Sequence, residues 1–413
     1  MKSNSPQINA LSVQINDYPI GIINRLAGDK HLFSFDQQYI DDPERPTLSL
    51  SFKNQENSLI TTFRPYQSRL PPFFSNVLPE GHLRSYLAQR AHVKPEHEFF
   101  LLATLGADLP GALTVKPLEM NAAIDEAIAS HHDHDFKETI LRFSLAGIQL
   151  KFSAIMESYG GLTIPANGMG GSWIVKLPSN RFSFVPENEF VMLALARNIG
   201  ITVPTNYLID INNINGLPDD VAQIQGKSLA IQRFDREKEG QRIHMEDFAQ
   251  VFGLFPKDKY DARSYANIAT ILWAETGETG TYEFIQRLIF SVLIGNADMH
   301  LKNWSLLYPD KRTPILSPAY DFVATLPYLP NDSLALNFGG SRSLSEINQK
   351  QIQRFANTAG LPLAPINQLV IETVEKTVDA WKNLPEKTLL PAAIKEVIEK
   401  QIETVAKNSN KLF

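Results

Sequence analysis

The sequence predicts an α+β protein in which a sheet-rich lobe precedes a helical lobe, and a smaller α+β unit stands before both. Segments rich in β-branched and aromatic residues, with one helical pattern inserted among them, fill residues 143–236. From residue 237 to 413, apolar residues recur three and four positions apart over long segments, which is typical of amphipathic helices. At 413 residues the chain also exceeds the usual size of one domain.

The overall composition narrows the possible functions. Hydrophobic residues make up 43% of the chain and charged residues 20%, values typical of a globular protein. A net charge of -6 disfavours binding to nucleic-acid phosphates over a broad surface. The absence of cysteine excludes disulfides, thiolate metal sites and cysteine nucleophiles. We find no apolar N-terminal signal and no stretch long enough to span a bilayer, so we expect a cytoplasmic protein without membrane contact.

Residues 1–120 are predicted to form the N-terminal α+β unit. Short β-prone segments run from Ala10 to about Phe52 and are separated by Asp-Tyr-Pro, Ala-Gly-Asp and Asp-Asp-Pro, which indicates a meander of strands. A helical pattern then begins at Pro79 and Glu80.

Residues 121–142 are polar, rich in alanine and without regularly spaced large apolar residues, and we interpret them as a linker. The run His-His-Asp-His-Asp at 131–135 lies in this segment and could hold a metal ion. Contiguous histidines without surrounding structural elements are more often a solvated surface run, and we favour that interpretation.

The sheet-rich lobe over 143–236 contains the strand-like segments LKFSAIM, GLTIPA and SWIVKLP, then the helical PENEFVMLALARNIG, then the strands TNYLIDI and SLAIQRFD. Gly200 is a suitable stop for that helix. The helical lobe over 237–413 contains MEDFAQVFG, YANIATILWAE and TYEFIQRLIFSVLIG, followed by three further helical patterns after Ser343.

A group of polar residues directly follows the apolar helix pattern of the helical lobe. In IGNADMHLKNW, Asp298 and Asn303 stand five positions apart, and Asp321 follows eighteen positions after Asn303. Phosphoryl transfer from ATP requires a carboxylate that orients or deprotonates the acceptor hydroxyl, and oxygen ligands that hold magnesium against the phosphates. The catalytic loop of protein kinases has Asp and Asn at this separation, and a second aspartate follows in Asp-Phe-Gly. Here Phe322 is present, but Val323 replaces the glycine.

The upstream half of the chain supplies the other part of a kinase pattern. Lys176 lies in the strand pattern WIVKLP, and Glu189 follows thirteen positions later in the first turns of a helix, as in the lysine–glutamate ion pair of kinases. Each residue has a simpler explanation, because a strand lysine can extend from a sheet edge and a glutamate favours a helix N-terminus. The loop pattern G-x-G-x-x-G is also missing. The complete set, in the right order and on the right elements, nevertheless favours a kinase.

The sequence resembles the HipA-type serine/threonine kinases, which are the toxins of bacterial toxin-antitoxin modules. The resemblance covers nearly the whole chain and rests on FSLAGIQLKFSA, SWIVKLPS, ENEFVMLALARNIGI, AIQRFDR, EDFAQVFG, IGNADMHLKNWSLLY and LSPAYDFVAT. It implies a two-lobed protein-kinase-like fold with an additional N-terminal α+β subdomain and an all-helical C-terminal lobe.

The resemblance also implies a role for each residue that matches a family motif. Asp298 would be the catalytic aspartate, Asn303 and Asp321 the magnesium ligands, and Lys176 the lysine that binds the ATP phosphates. The other matches are His300 and Lys302 near the transferred phosphoryl group, Gln232, Arg233 and Phe234 in the hinge that receives adenine, Gly147 in the loop over the phosphates, and Ser144 as the autophosphorylation site of that loop. His300 could equally be a packing residue. Phosphate on Ser144 would add about two negative charges, so repulsion should expel the loop and switch the enzyme off.

The resemblance further implies ATP and Mg²⁺ as cofactors, a translation factor such as an aminoacyl-tRNA synthetase as substrate, and a dimeric helix-turn-helix antitoxin that supplies the contact with operator DNA. Two alternatives remain at this point. One is an inactive pseudokinase that acts as a corepressor with the antitoxin, and the other is a metal-dependent phosphohydrolase or nuclease. Leu150 and Gln232 stand where family members commonly carry acidic residues, and both changes leave backbone contacts possible.

Overall fold

The computed structural model describes residues 8–90, 93–118, 150–157, 161–164, 171–217, 224–237, 240–345 and 347–409. The linker at 121–142 with its histidine run, together with Ser144 and Gly147, lies outside the described residues. The division of the chain at 1–120, 121–142, 143–236 and 237–413 stays a prediction. Among the helices that the structure describes, none combines the length and the apolar character that crossing a membrane requires.

An antiparallel five-stranded sheet forms the centre of the N-terminal unit, in the order β4-β3-β2-β1-β5. The strands are β1 (Ala10–Ile15), β2 (Tyr18–Leu26), β3 (Lys30–Phe35), β4 (Tyr66–Gln67) and β5 (Leu113–Pro117). The helices of the unit are α1 (Gln37–Asp41), α2 (Pro72–Asn76), α3 (Gly81–Arg90) and α4 (Glu98–Leu105). Asn16 and Asp17 both adopt positive φ angles, which lets a two-residue turn join β1 to β2. Alternate residues of β1 face an aromatic core that includes Phe33 and Phe74.

A six-stranded sheet forms the next lobe, in the order β10-β7-β6-β8-β11-β9. Its strands are β6 (Lys151–Met156), β7 (Leu162–Thr163), β8 (Trp173–Lys176), β9 (Asn206–Asp210), β10 (Ile214–Asn215) and β11 (Lys227–Gln232). Helix α5 (Val185–Asn198) packs against β9 and β11. Its buried residues, including Val191 and Leu195, belong to the same core as the helical lobe, so α5 connects the two lobes.

The C-terminal lobe is mainly helical. It contains α6 (Phe248–Val251), α7 (Tyr265–Leu293), α8 (Gln349–Ala359), α9 (Leu363–Asn383) and α10 (Ala392–Ser409). Helix α7 is broken at Gly277, whose φ of 65° and ψ of -156° are not helical. Short 3₁₀ turns occur in all three units and lie at Leu50–Phe52, Ile211–Asn213, Pro256–Asp258, Leu301–Asn303 and Pro385–Leu389.

The expectation of an all-helical C-terminal lobe needs one correction. The antiparallel strands β12 (His244–Asp247), β13 (Ser305–Tyr308) and β14 (Ile315–Leu316) form a small sheet in this lobe. Strands of two to four residues carry too little alternation to be recognised, and β13 is buried at every position, so it has no polar face to reveal it. The two-lobed α+β fold with an additional N-terminal unit is otherwise as predicted.

Candidate active site

A cavity of about 500 Å³ lies where the N-terminal unit, the sheet lobe and the helical lobe meet. Lys176 and Asp321 line it, as do Gln232, Arg233 and Phe234 at the end of β11. The N-terminal unit contributes residues 76–80, Leu87, Leu105 and residues 108–110 to the wall of the cavity. The volume is within the range of small-molecule sites.

Lys176 is the last residue of β8, and its side chain is 5% exposed. Its Nζ lies 2.5 Å from Oε1 of Glu189 on α5 and also contacts Oδ1 of Asp321. Burial alone would lower the pKa of Lys176, but the charges of Asp321 and Glu189 outweigh it and raise the pKa above the usual lysine value. We call Lys176, Glu189 and Asp321 the phosphate-side cluster. Its lysine stays positively charged at any physiological pH.

Asp321 is held by contacts with both lobes. The Nζ of Lys151 on β6 lies 3.3 Å and 3.4 Å from its two carboxylate oxygens. Although burial opposes it, the lysines at 151 and 176 lower the pKa of Asp321 and keep it ionised. Its φ of 56° lies in the left-handed region, which a non-glycine residue adopts only when its surroundings hold it there. The Asn296 Nδ2 donates to the main-chain oxygen of Asp321 at 3.2 Å.

The polar segment 296–303 begins where α7 ends. Gly295 has a φ of 72°, and a Cβ atom there would lie 2.8 Å from Leu326, so glycine suits this turn. Within the segment, Asn303 Nδ2 donates to the main-chain oxygen of Asp298 at 2.8 Å. The Asp298 amide donates to Oδ1 of Asn296 at 3.1 Å. Asn296 therefore bonds both to Asp298 and to Asp321, and the structure brings these two aspartates to one place.

The carboxylate of Asp298 accepts a hydrogen bond of 3.0 Å from the Tyr260 hydroxyl. Burial raises the pKa of Asp298, and the bond from Tyr260 opposes that rise. The ring of His300 lies edge-on to Tyr260, with centroids 5.1 Å apart. Burial lowers the pKa of His300 to about 3, so this imidazole is neutral near pH 7. It cannot supply a positive charge to a phosphoryl group in this arrangement.

Lys302 contacts the N-terminal unit. Its Nζ donates to the main-chain oxygen of Asn76 at 2.9 Å and lies 2.6 Å from Oε1 of Glu80. The other oxygen of Glu80 lies 2.8 Å from Nζ of Lys259. Although burial opposes it, Lys302 and Lys259 lower the pKa of Glu80 to about 2. The sequence identified Glu80 only as a helix start, and its role in holding two lysines depends on contacts over more than 170 positions.

The predicted hinge residues are placed at the cavity, but two of their amides are already bonded. The Gln232 amide donates to Thr205 and the Arg233 amide donates to Ser172, both at 2.8 Å. Adenine would therefore have to use main-chain carbonyls or the Phe234 amide. The rings of Phe234 and Tyr320 have centroids 5.6 Å apart and form an aromatic part of the site.

The side chain of Arg233 belongs to a buried ionic group that we call the hinge-side cluster: Asp108, Arg233, Asp235 and Arg236. Arg233 Nε and Nη2 donate to Asp235 at 3.0 Å and 2.8 Å. Arg236 Nη2 donates to Asp108 at 2.8 Å, and Asp235 also accepts from the Gly111 amide at 2.7 Å. This cluster joins the N-terminal unit to the end of β11. Sequence reasoning missed its acidic members, because no local pattern connects Asp108 with residues more than 120 positions away.

The predicted site residues that line the cavity are Lys176, Gln232, Arg233, Phe234, Lys302 and Asp321. Asp298, His300 and Asn303 are not in its wall; Asn303 bonds to Asp298, and Asn296 connects Asp298 to the main chain of Asp321. Ser144 and Gly147 lie outside the described residues. Within the described ranges, no set of three or more His, Cys, Asp and Glu side chains is arranged to hold a metal ion alone. The carboxylates and the Asn303 amide oxygen are nevertheless ligand types that Mg²⁺ prefers, provided that phosphate oxygens complete the coordination.

Comparisons with known proteins support the resemblance. The family model for the HipA N-terminal domain matches residues 11–116, and the model for the HipA-like C-terminal domain matches residues 143–381. The provisionally named kinase Y4dM of Sinorhizobium fredii is 50% identical over 398 residues, which cover 94% of this chain and 95% of the relative.

A relative at greater distance and a solved structure agree with this result. The serine/threonine-protein kinase toxin HipA of Shewanella oneidensis is 24% identical over 399 residues, which cover 85% of this chain and 84% of the relative. A solved structure of Shewanella oneidensis HipA, in complex with HipB and operator DNA, shares the fold with a TM-score of 0.72 at 20% identity and 97% coverage of both chains. Since both family models match along the chain and one relative shares half of its residues, the protein belongs to the HipA family.

Proposed function

We propose that the protein is an ATP- and Mg²⁺-dependent serine/threonine protein kinase. The observation that carries this proposal is the contact of Lys176 with both Glu189 and Asp321 at the wall of a 500 Å³ cavity. A lysine between a helix glutamate and a metal-binding aspartate is the arrangement with which kinases hold the phosphates of ATP. Membership in a family of kinases supports the same conclusion.

The proposed roles follow from the charges and bonds of each residue. Lys176 would bind the phosphates, and Asp321 and Asn303 would be the Mg²⁺ ligands. MgATP, when bound, supplies the phosphoryl group. Asp298 would accept the proton of the acceptor hydroxyl, and the burial that raises its pKa makes it a stronger base than an exposed aspartate.

The remaining predicted residues have less direct roles. The neutral His300 could donate or accept a hydrogen bond near the phosphoryl group, and Lys302 would reach that group only by leaving Glu80. Gln232, Arg233 and Phe234 would form the hinge. The side chain of Arg233 is held by its bonds to Asp235. We keep Ser144 as the proposed autophosphorylation site and Gly147 as part of the proposed loop over the phosphates.

We propose that the chain acts as the toxin of a type II toxin-antitoxin module in the cytoplasm. Its partner would be a helix-turn-helix antitoxin dimer, a proposal supported by the Shewanella oneidensis complex of HipA, HipB and operator DNA. The net charge of -6 favours DNA contact mainly through that partner. The proposed substrate is a translation factor, with an aminoacyl-tRNA synthetase as the first candidate.

The test is transfer of labelled phosphate from γ-labelled ATP with Mg²⁺, comparing the full chain with Asp298→Asn. We expect label on the chain and on a protein of a cell lysate, and a loss of about a hundredfold or more in Asp298→Asn, the usual scale for a positioned acid-base group. Mass spectrometry should locate the self-incorporated phosphate on Ser144. Absence of transfer by the wild type would favour the pseudokinase corepressor, and release of free phosphate without any acceptor would favour a phosphohydrolase.

A further inference from the structure

We infer that Tyr260 is a positioning residue that holds the carboxylate of Asp298 for proton acceptance, an inference that rests on the proposed kinase function. The Tyr260 hydroxyl donates to Oδ1 of Asp298 at 3.0 Å. The Tyr260 ring stands edge-on to His300 at an interplanar angle of 81°, and Nζ of Lys259 lies 5.4 Å from its centroid. Tyr260 therefore contacts the polar segment 296–303 at both Asp298 and His300.

Tyr260 is held in this place from both sides. It follows the 3₁₀ turn Pro256–Asp258, and the main-chain oxygen of Lys259 accepts a bond of 3.3 Å from the Leu301 amide. The main-chain oxygen of Tyr260 accepts from Arg342 Nη2 at 3.1 Å, and the same nitrogen pairs with Asp261. Yet Tyr260 is 38% exposed, which is unusual for a residue retained for core packing. Because the residue is partly exposed, burial of its ring does not by itself account for its position, and the hydrogen bond to Asp298 helps to fix it.

The hydrogen bond has a geometric consequence. It engages Oδ1 of Asp298 and restricts rotation of the carboxylate, which leaves Oδ2 for an acceptor hydroxyl. A hydrogen bond to an ionised carboxylate is among the stronger hydrogen bonds in proteins, so its loss should loosen this orientation.

The experiment compares full-length wild type with Tyr260→Phe in single-turnover transfer from γ-labelled ATP with Mg²⁺, using the chain itself and dephosphorylated casein as acceptors. We expect a rate about tenfold lower, the effect of losing one hydrogen bond to a charged group, with unchanged affinity for a non-hydrolysable ATP analogue. The matched control is Tyr282→Phe, whose ring packs on Trp273 of the same lobe and should behave as wild type.

A double-mutant cycle separates positioning from a general structural effect. Tyr260→Phe should cost less than about twofold in the Asp298→Asn background, because residues that act through one group are not additive. If Tyr260→Phe does not fold, Tyr260→Gln, which keeps a hydrogen-bond donor, is compared with Tyr260→Leu, which has none.

The outcomes distinguish the two proposals. An inactive wild type contradicts the kinase function and, with it, the role proposed for Tyr260. An active wild type with an equal transfer rate in Tyr260→Phe overturns the inference and leaves the kinase function standing. The inference is also overturned if Tyr260→Phe lowers the transfer rate by the same factor in the wild type and in the Asp298→Asn background.

Discussion

Two buried ionic clusters border the same cavity, and they differ in the parts of the chain that they join. The phosphate-side cluster connects the sheet lobe with the helical lobe, and its two carboxylates outnumber its one lysine. The hinge-side cluster connects the N-terminal unit with the end of β11, and its two arginines balance its two carboxylates. From this difference we propose that the first cluster holds a cation together with its ligand, whereas the second holds the cavity wall together. The N-terminal unit is therefore part of the site and not an appendage.

The largest effect should come from Lys176→Met. We expect transfer to fall by about a hundredfold or more, and the free energy of unfolding to fall by roughly 3–5 kcal/mol, because Glu189 is left buried without a counter-charge. The double variant Lys176→Met/Glu189→Leu should recover most of the stability but none of the transfer, as measured by denaturant unfolding and labelled ATP. Lys151→Met is the comparison, since its side chain is 42% exposed and its loss should destabilise less. Wild-type transfer by Lys176→Met would remove the functional distinction between the clusters.

A third contact between the N-terminal unit and the helical lobe should make stability depend on pH. Buried Glu246 on β12 accepts bonds from the Ser49 hydroxyl at 2.5 Å, the Leu50 amide at 3.0 Å and the Tyr308 hydroxyl at 2.5 Å. Burial raises its pKa from 4.5 to about 7. Between these values the folded chain binds more protons than the unfolded chain, so the free energy of unfolding should fall as pH rises, by up to about 3 kcal/mol.

The measurement is the denaturant midpoint at pH 4.5 and at pH 8, in the wild type and in Glu246→Gln. The neutral glutamine cannot titrate, so the variant should lose this part of the pH dependence. Equal pH dependence in the two proteins would show that Glu246 is already ionised in the folded state near pH 5.

Asp108→Asn tests the hinge-side cluster. Removing this charge weakens its bonds to Arg236 and Arg233, and we expect a loss of about 2 kcal/mol in unfolding free energy, the scale of a hydrogen bond to a charged group. Affinity for an ATP analogue should also decrease, because Arg233 belongs to the proposed hinge. Asp379→Asn is the control, since its pair with Lys382 is exposed. If Asp108→Asn affects stability but not nucleotide affinity, the cluster holds the fold without shaping the hinge.

The smallest effect should come from Glu80→Gln. Its ion pairs with Lys302 and Lys259 are partly solvated, so the free energy of unfolding should change by less than about 1 kcal/mol. Because the folded pKa is lowered to about 2, this contribution is constant at neutral pH and is lost only as pH falls from 4.5 towards 2. Because Glu80→Gln releases Lys302 from its ion pair, we expect the KM for ATP to change more than the free energy of unfolding. The control is Glu372→Gln, which removes an exposed ion pair with Lys376 and should change neither the stability nor the KM for ATP.

The sequence by itself determined the two-lobed α+β fold and the order of the residues Lys176, Glu189, Asp298, Asn303 and Asp321, because periodicity and motif spacing are local properties of the chain. It identified Glu189 as a helix residue thirteen positions from Lys176, and the structure joins them by an ion pair. The sequence missed the short strands β12 to β14, whose pattern is too brief to read.

Only the tertiary structure decided which charges neutralise one another. Glu80 meets Lys302, Asp108 meets Arg236, and Tyr260 meets Asp298 across separations of 38 to 222 positions. No local pattern encodes these partners, because each contact depends on how three packed units are placed relative to one another. The same packing bonds the amides of Gln232 and Arg233 to neighbouring segments and so limits how adenine can bind. Burial and the charges of these neighbours then set the pKa of each group, since both depend on its surroundings and not on its place in the sequence.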